Sequence, residues 1–310
     1  MSEKAIKQSR RNFSRMQRQE NLIGYAFILP ALLAFLILVA FPFFASIGLS
    51  FTKWNFIGGW KKLKWVGTDN FVKIWGYIVK KKRFYNALVN TLVYAVTTVP
   101  TSIILALILA YVLNNKVFFK RTLRMAFFIP YISSTVALSA VFKFMFRDDG
   151  VINSVLMSLG VTNPPDWFVN LDLNKIPIII MVIWTAIGYE LVIYMSALQN
   201  VPTSLYEAAD IDGANNVQKF WSVTMPMVSP TTFYLLIVRM IAVFKIFSSV
   251  NIMTLGSAAY TNTALVVEIY SEGFGSYNFG MAATESMFLF VLILIVTILN
   301  FWGQKKWVHY

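Results

Sequence analysis

The chain has no cysteine and a single histidine, His309, at its penultimate position. Disulfide frameworks, thiol nucleophiles and thiolate metal sites are excluded, and histidine-based metal or triad chemistry has almost no raw material. Charge is also scarce. Only 13% of the 310 residues are charged against 57% apolar ones, and the mean hydropathy is +0.62. Such a balance belongs to the membrane class and argues against a soluble enzyme core. None of the fifteen glycines stands in a G-x-x-x-x-G-K-[ST] run, so the phosphate cradle of an ATPase is missing and ATP hydrolysis must lie on another chain. No catalytic or metal-ligating cluster stands out.

What is present in quantity is long runs free of charge. A spanning helix needs roughly 20 mostly apolar residues, and six stretches qualify: 21–49, 84–113, 124–146, 176–199, 229–253 and 278–303. Glu190, Arg239, Lys245 and Glu285 interrupt the last three, and Lys143 lies near the end of the third. Pro30, Pro42, Pro100 and Pro130 fall in or at the ends of spans, where neighbouring helices can satisfy the freed backbone groups. The first run is longer than the ~7–15 residues of a signal-peptide core and shows no clean cleavage site, so a retained first helix is expected. The expected fold is an all-α membrane protein of six transmembrane helices. It is flanked by a basic tail at 1–20 and a short segment at 304–310, with a loop at 200–228 between the fourth and fifth spans.

The net charge of +13 suits topology and anionic lipid better than nucleic acid in such a chain. Six cations precede the first span and four crowd the short loop after the second, namely Lys116, Lys120, Arg121 and Arg124. Short flanking segments weigh most in orientation, so both termini are expected in the cytoplasm. Eleven cations nevertheless fall on the outer side, nine of them between Lys53 and Arg83. Interleaved Trp60, Trp65, Phe71, Trp75 and Tyr77 suit a membrane interface there; an acidic partner or solute is the alternative. The segment from Thr254 to Tyr277 has no cation and is read as an outer loop.

The cytoplasmic loop between spans four and five is the most informative segment. Ser204 and Glu207 have the spacing of a capping box after Pro202, which predicts a new helix. Gly213 is placed to end that helix in a left-handed turn, and Asn215 or Asn216 can cap a second one. Phe220 and Trp221 are expected to pack back on the bundle, while Ala208 and Ala209 permit close approach of another surface.

Glu207-Ala208-Ala209, Gly213 and Val223-Thr224-Met225-Pro226 resemble the EAA loop of binding-protein-dependent ABC importer permeases, with Val223 and Met225 replacing the family's Ile and Leu. The resemblance extends through Leu29-Pro30-Ala31-Leu32-Leu33, Leu49 to Trp54, Val66 to Phe71, Asn86 to Thr91, Phe127 to Pro130 and Ala197 to Pro202, which are similar to the carbohydrate-uptake class. It implies the type I ABC importer permease fold in a bacterial inner membrane. It also implies a second, related permease as heterodimer partner, two copies of a cytoplasmic ATPase that carries the ATP and Mg, and an external solute-binding protein. No cofactor on this chain and no nucleic-acid partner are implied. By the same resemblance Glu207, Ala208, Ala209, Asp210, Gly213 and Pro226 couple to the ATPase. The stretch at 254–260 departs from the family, since only Gly256 remains of a glycine-rich run ending in proline.

Ionisable residues inside spans are functional candidates because burying charge in lipid is costly. A rise of 1.5 Å per residue puts Arg239 roughly 15 Å into the fifth span and Glu190 at a similar depth, so the two can pair. At about 100° per residue Lys245 points some 120° from Arg239 and cannot share its face; it shares one with Ser248 and Ser249, with Asn251 nearby. Glu190, Tyr194, Arg239, Lys245, Ser249 and Asn251 are therefore the candidate solute-pathway residues, with a structural Glu190–Arg239 bridge plus a snorkelling Lys245 as the alternative. Trp184, Tyr189 and Tyr194 can stack on sugar rings or anchor interfaces. The expected solute is a carbohydrate, most simply an oligosaccharide, with an acidic or phosphorylated sugar or polyol as the alternative. A secondary transporter is the competing class.

Overall fold

Apolar segments without water around them must close their own backbone hydrogen bonds, and the charge-free runs do so as helices. The computed structural model describes residues 3–114, 119–254 and 261–308. It begins with α1 (Glu3–Phe35), a π turn (Leu36–Ala40) and α2 (Phe41–Ser50), followed by a small hairpin of β1 (Thr52–Lys53) and β2 (Lys64–Trp65) and by α3 (Asp69–Val79). Then come α4 (Arg83–Asn114), α5 (Lys120–Ile132), α6 (Thr135–Met145), α7 (Val151–Ser158) and α8 (Ile176–Gln199). The chain continues with α9 (Thr203–Ile211), α10 (Asn216–Lys219), a π turn (Phe220–Thr224), α11 (Met225–Phe244), α12 (Ser248–Thr254), α13 (Leu265–Tyr270) and α14 (Phe279–Gln304). Among the described residues five helices are long and apolar enough to cross a membrane: Glu20–Ser50, Arg83–Asn114, Ile176–Gln199, Asn216–Phe244 and Phe279–Gln304. The bent pair α5 and α6 makes a sixth.

The core lies between α4, α8 and α11. Ala87, Thr91, Ala95, Thr98, Ser102, Ala106 and Ala110 recur at helical spacing on the buried face of α4, and such small residues let helix backbones approach closely in a membrane. Met181, Leu191, Tyr194 and Met195 of α8 and Leu235 of α11 fill the space left between them. Gly188 serves the same purpose on α8, because a Cβ there would strike the Phe127 carbonyl of α5. The first helix contrasts with this core. Its apolar window contains no buried residue, and α2 packs on α14, where the rings of Phe43 and Phe290 meet edge-on at 5.4 Å.

Two expected spans are broken. The third, 124–146, turns by 97° between α5 and α6. The cause is local: Ser133 is extended and returns its hydroxyl to the Ile129 carbonyl at 2.8 Å, while the Ser134 hydroxyl accepts from the Ala137 amide and starts a new helix. Serine side chains that bond nearby backbone offer an alternative to helix continuation. The fifth expected span runs only to Phe244, and residues 245–247 separate it from α12. The side-chain ammonium of Lys143 on α6 donates to the Ile252 carbonyl at 3.1 Å and holds α12 against α6.

The segment read as an outer loop, 254–277, is also not a simple loop. Residues 255–260, which include most of the departure from the family pattern, lie outside the described residues. Beyond them Asn262, Thr263, Ala264 and Leu265 are buried beside α4. Asn90 donates to the carbonyls of Thr261 and Thr263 at 2.7 and 2.9 Å, the Tyr94 hydroxyl donates to the Asn262 carbonyl at 2.6 Å, and the Leu265 amide donates to the Thr91 hydroxyl at 2.9 Å. Tyr94 is roughly 16 Å along α4 from Arg83, counted at 1.5 Å per residue. Non-helical backbone at such depth is tolerated only where protein satisfies it. On the same side, Asn70 donates to the carbonyls of Ser50 and Thr52 at 3.1 and 2.8 Å, and Gly280 leaves room for the Thr52 carbonyl. The connection between α2 and α4 is therefore a folded cap on α14.

Candidate coupling loop and solute cavity

The loop after α8 folds as two short helices around Gly213, whose φ of +74° is the left-handed conformation that a glycine adopts without cost. Asn215 then caps α10: its side chain accepts from the Gln218 amide at 2.9 Å, and the Gln218 side chain accepts from the Asn215 amide at 2.8 Å. The capping box thus forms at Asn215 and Gln218. The one expected at Ser204 and Glu207 does not, because α9 starts two residues earlier, behind Pro202 and without a side-chain cap. Glu207, Ala208 and Asp210 are exposed, Ala209 is half-buried, and no residue of α9 is buried. Ile211, at 87% exposure, is an apolar side chain with nothing of this chain to cover it.

Two contacts hold this exposed helix to the rest. Asp210 is ion-paired with Lys219 across the Gly213 turn, and the hydroxyls of Tyr206 and Thr224 meet at 2.9 Å. Thr224 is fully buried. Neither contact was among the sequence candidates apart from Asp210 itself, and only the length of the turn could have suggested them. Phe220 packs on Tyr111 with ring centroids 5.1 Å apart, as expected of it. Trp221 does not pack against the bundle: it is 62% exposed and borders a recess with Pro226 and Trp307. The reason is the π turn at 220–224, which shifts the helix register by one residue and leaves Phe220 inward and Trp221 outward. That turn also makes α10 and α11 one helix from Asn216 to Phe244.

At the far end of this helix lies a cavity of about 300 Å³. Arg239, Lys245, Ser248, Ser249, Thr135 and Thr185 supply its polar wall. The expectation that Arg239 and Lys245 face apart fails here. It assumed an unbroken helix, and the break after Phe244 turns Lys245 onto the same cavity. Arg239 is also tied to Glu190, with Nε 2.9 Å from Oε1, and Ser102 donates to the same oxygen at 3.0 Å. Glu190 itself is completely buried in the core and does not line the cavity. Tyr194 is likewise fully buried, donating to the Thr232 hydroxyl at 2.9 Å. Asn251 lies on α12 next to Val250 and is not part of the wall. Of the aromatic candidates on α8, Tyr189 is stacked on Tyr131 and Trp184 packs against Phe142.

A larger recess of about 480 Å³ between α2, α13 and α14 is lined mainly by apolar side chains such as Phe247, Ile269 and Phe279 and offers few groups to fix a polar solute. Near it, Arg83 pairs with Glu268 and donates to the Ser271 hydroxyl at 3.1 Å. Burial pushes the Glu268 carboxyl above the usual range, Arg83 draws it back and Glu272 adds to the rise. Among the described residues no group of three or more His, Cys, Asp or Glu side chains is placed to hold a metal ion.

The chain matches the family model described as "Binding-protein-dependent transport system inner membrane component" over residues 73–308. It is 33% identical over 298 residues to a lactose transport system permease protein, LacF, of Rhizobium radiobacter, covering 94% of this chain and 97% of that one. A probable ABC transporter permease protein of Bacillus subtilis, YesP, is 31% identical over 300 residues, with 96% and 95% coverage. Among solved structures, a bacterial alginate ABC transporter in complex with an alginate pentasaccharide-bound periplasmic protein aligns with a TM-score of 0.80 at 22% identity, covering 94% of this chain and 96% of that one. With the exposed two-helix loop, the broken spans and these likenesses together, the chain belongs to the family of binding-protein-dependent transport system inner membrane components and has the fold of an ABC importer permease.

Proposed function

We propose that this chain is the permease subunit of an ATP-driven importer for a carbohydrate, and that it forms the solute pathway with a second, related permease. Two copies of a cytoplasmic ATPase bind ATP and Mg, and an external solute-binding protein delivers the sugar. Both termini lie in the cytoplasm on this reading, in accord with the dense cations around α1 and before α5. The observation that carries the proposal is mechanical. The exposed helix α9 is clamped through Tyr206–Thr224 and Asp210–Lys219 to the start of the helix that ends at the cavity. A force on Glu207, Ala208 and Ala209 would pass along Asn216–Phe244 to Arg239 and Lys245. Gly213 sets the angle between the two arms, and Pro226 follows the π turn within the continuous helix, where it has no amide to donate to the preceding turn.

The names of two relatives support the solute class: a lactose permease, and an arabinooligosaccharide permease of Bacillus subtilis 31% identical over 280 residues. Hydroxyl-bearing side chains in the cavity suit sugar hydroxyls. The test is uptake of labelled oligosaccharides into proteoliposomes holding the assembled importer. Uptake that requires both ATP and the binding protein is expected. Uptake that follows an ion gradient without either would overturn the proposal in favour of a secondary transporter.

A further inference from the structure

Charge in the cavity is lopsided. The elements that enclose it are α6, α8, α11, the break at 245–247 and α12. Together they contain three cations, Lys143, Arg239 and Lys245, and one acid, Glu190. Glu190 is engaged through Oε1 by Arg239 and Ser102, and the Lys143 ammonium donates to the Ile252 carbonyl. Lys245 is exposed and has no carboxylate within ion-pair distance among the described residues. Its position is about 24 Å along the helix from Ser229 at 1.5 Å per residue. An ionisable side chain within an expected span is a candidate for a solute or ion path. The hydroxyls of Thr135, Ser248 and Ser249 have no hydrogen-bond partner among the described residues, while Thr185 returns its proton to the Met181 carbonyl at 2.9 Å. The cavity thus presents free hydroxyls around an uncompensated positive charge and no acid on its wall.

We infer that Lys245 is a specificity-determining residue and that, with Ser248, Ser249 and Thr135, it makes this cavity a site for a sugar or polyol bearing a carboxylate or phosphate group. The inference rests on the reading that this cavity lies on the solute path, and it narrows the carbohydrate class to its anionic members. The ammonium supplies a point charge to the anion and the hydroxyls bond the ring. A neutral sugar in the same place would leave the lysine unpaired, which is the basis of discrimination.

The chain's lack of cysteine provides the test. Ser248→Cys, and independently Thr135→Cys on the opposite wall in case the first variant assembles poorly, are made in the assembled importer. Each is labelled with a negatively charged and a positively charged methanethiosulfonate of similar size. A cavity focusing positive potential is expected to favour the anionic reagent by about tenfold over its ratio with a free thiol, and adding Lys245→Gln is expected to abolish the preference. Equal rates for both reagents, or a preference unchanged by Lys245→Gln, would overturn the anionic assignment while leaving the cavity on the path. Failure of both cysteines to react with either reagent would show that the cavity is not on the path at all. Digalacturonate and glucose 6-phosphate, added as protectants, separate the carboxylate source from the phosphate source. Protection by neutral galactobiose as strong as by either of them would also overturn the assignment.

Discussion

The hairpin at one end of the Asn216–Phe244 helix and the cavity at its other end are held together in different ways. In the hairpin α9 buries no side chain, and its shape comes from one left-handed glycine, one capping box and two polar clamps to the next helix. Around the cavity the geometry depends on a completely buried carboxylate, an arginine from a different span and a helix break. The first region can be moved by a partner at little cost to the bundle. The second is part of the core, and disturbing it disturbs the fold. On the proposed function the difference matches two tasks: an exposed lever would receive the drive, and a stiff polar cavity would meet the solute.

Substitutions can test this contrast, beginning with the core. Glu190→Ala leaves the Arg239 guanidinium buried without its partner, and breaking such a pair costs about 3–5 kcal/mol. Loss of membrane abundance and an earlier thermal unfolding of the purified importer are expected, and Glu190→Leu with Arg239→Leu should recover most of the loss. Next is Gly188→Val on α8, which pushes side-chain atoms into the Phe127 carbonyl region; overpacking of this kind costs about 1–3 kcal/mol, read in the same unfolding assay.

The hairpin should respond less. At Gly213 a Cβ meets nothing within 4 Å, so Gly213→Ala costs only the strain of a left-handed residue, about 1–2 kcal/mol, and confined to the loop. The smallest effect belongs to Asp210→Asn, since an exposed ion pair is worth about 0.2–1 kcal/mol. A hairpin variant that unfolds the bundle as readily as Glu190→Ala would break the comparison. A core variant with unchanged stability would break it from the other side.

How much of this was legible in the sequence follows the same division. Gly213 and Asn215 stand out because turn and cap chemistry is local, and the Glu190–Arg239 pair follows from depth counting along two helices. Ser204 and Glu207 misled for an equally local reason: the spacing of a capping box was present, but the helix starts two residues earlier, behind Pro202. The 97° bend at Ser133 was not legible in an apolar run, because hydropathy does not report where a helix stops when serines bond their own backbone, and the break after Phe244 carries no hydropathy signal either. Burial of residues 262–265 depends on Asn90, Thr91 and Tyr94, which lie some 170 positions away. No local pattern contains that information. Lys245 illustrates the consequence, since a correct helical-wheel calculation gave the wrong face once the helix was assumed to continue.

The central claim is that the hairpin transmits ATP-driven motion to a cavity it does not help to fold. Its most direct test is Gly213→Pro, together with Glu207→Lys, in the reconstituted importer, measuring solute uptake and ATP hydrolysis stimulated by the loaded binding protein in the same vesicles. Proline cannot adopt the positive φ of Gly213, so uptake and stimulation should both be lost while membrane abundance and thermal unfolding stay near those of the unaltered chain. Normal uptake in both variants at normal abundance would contradict the account.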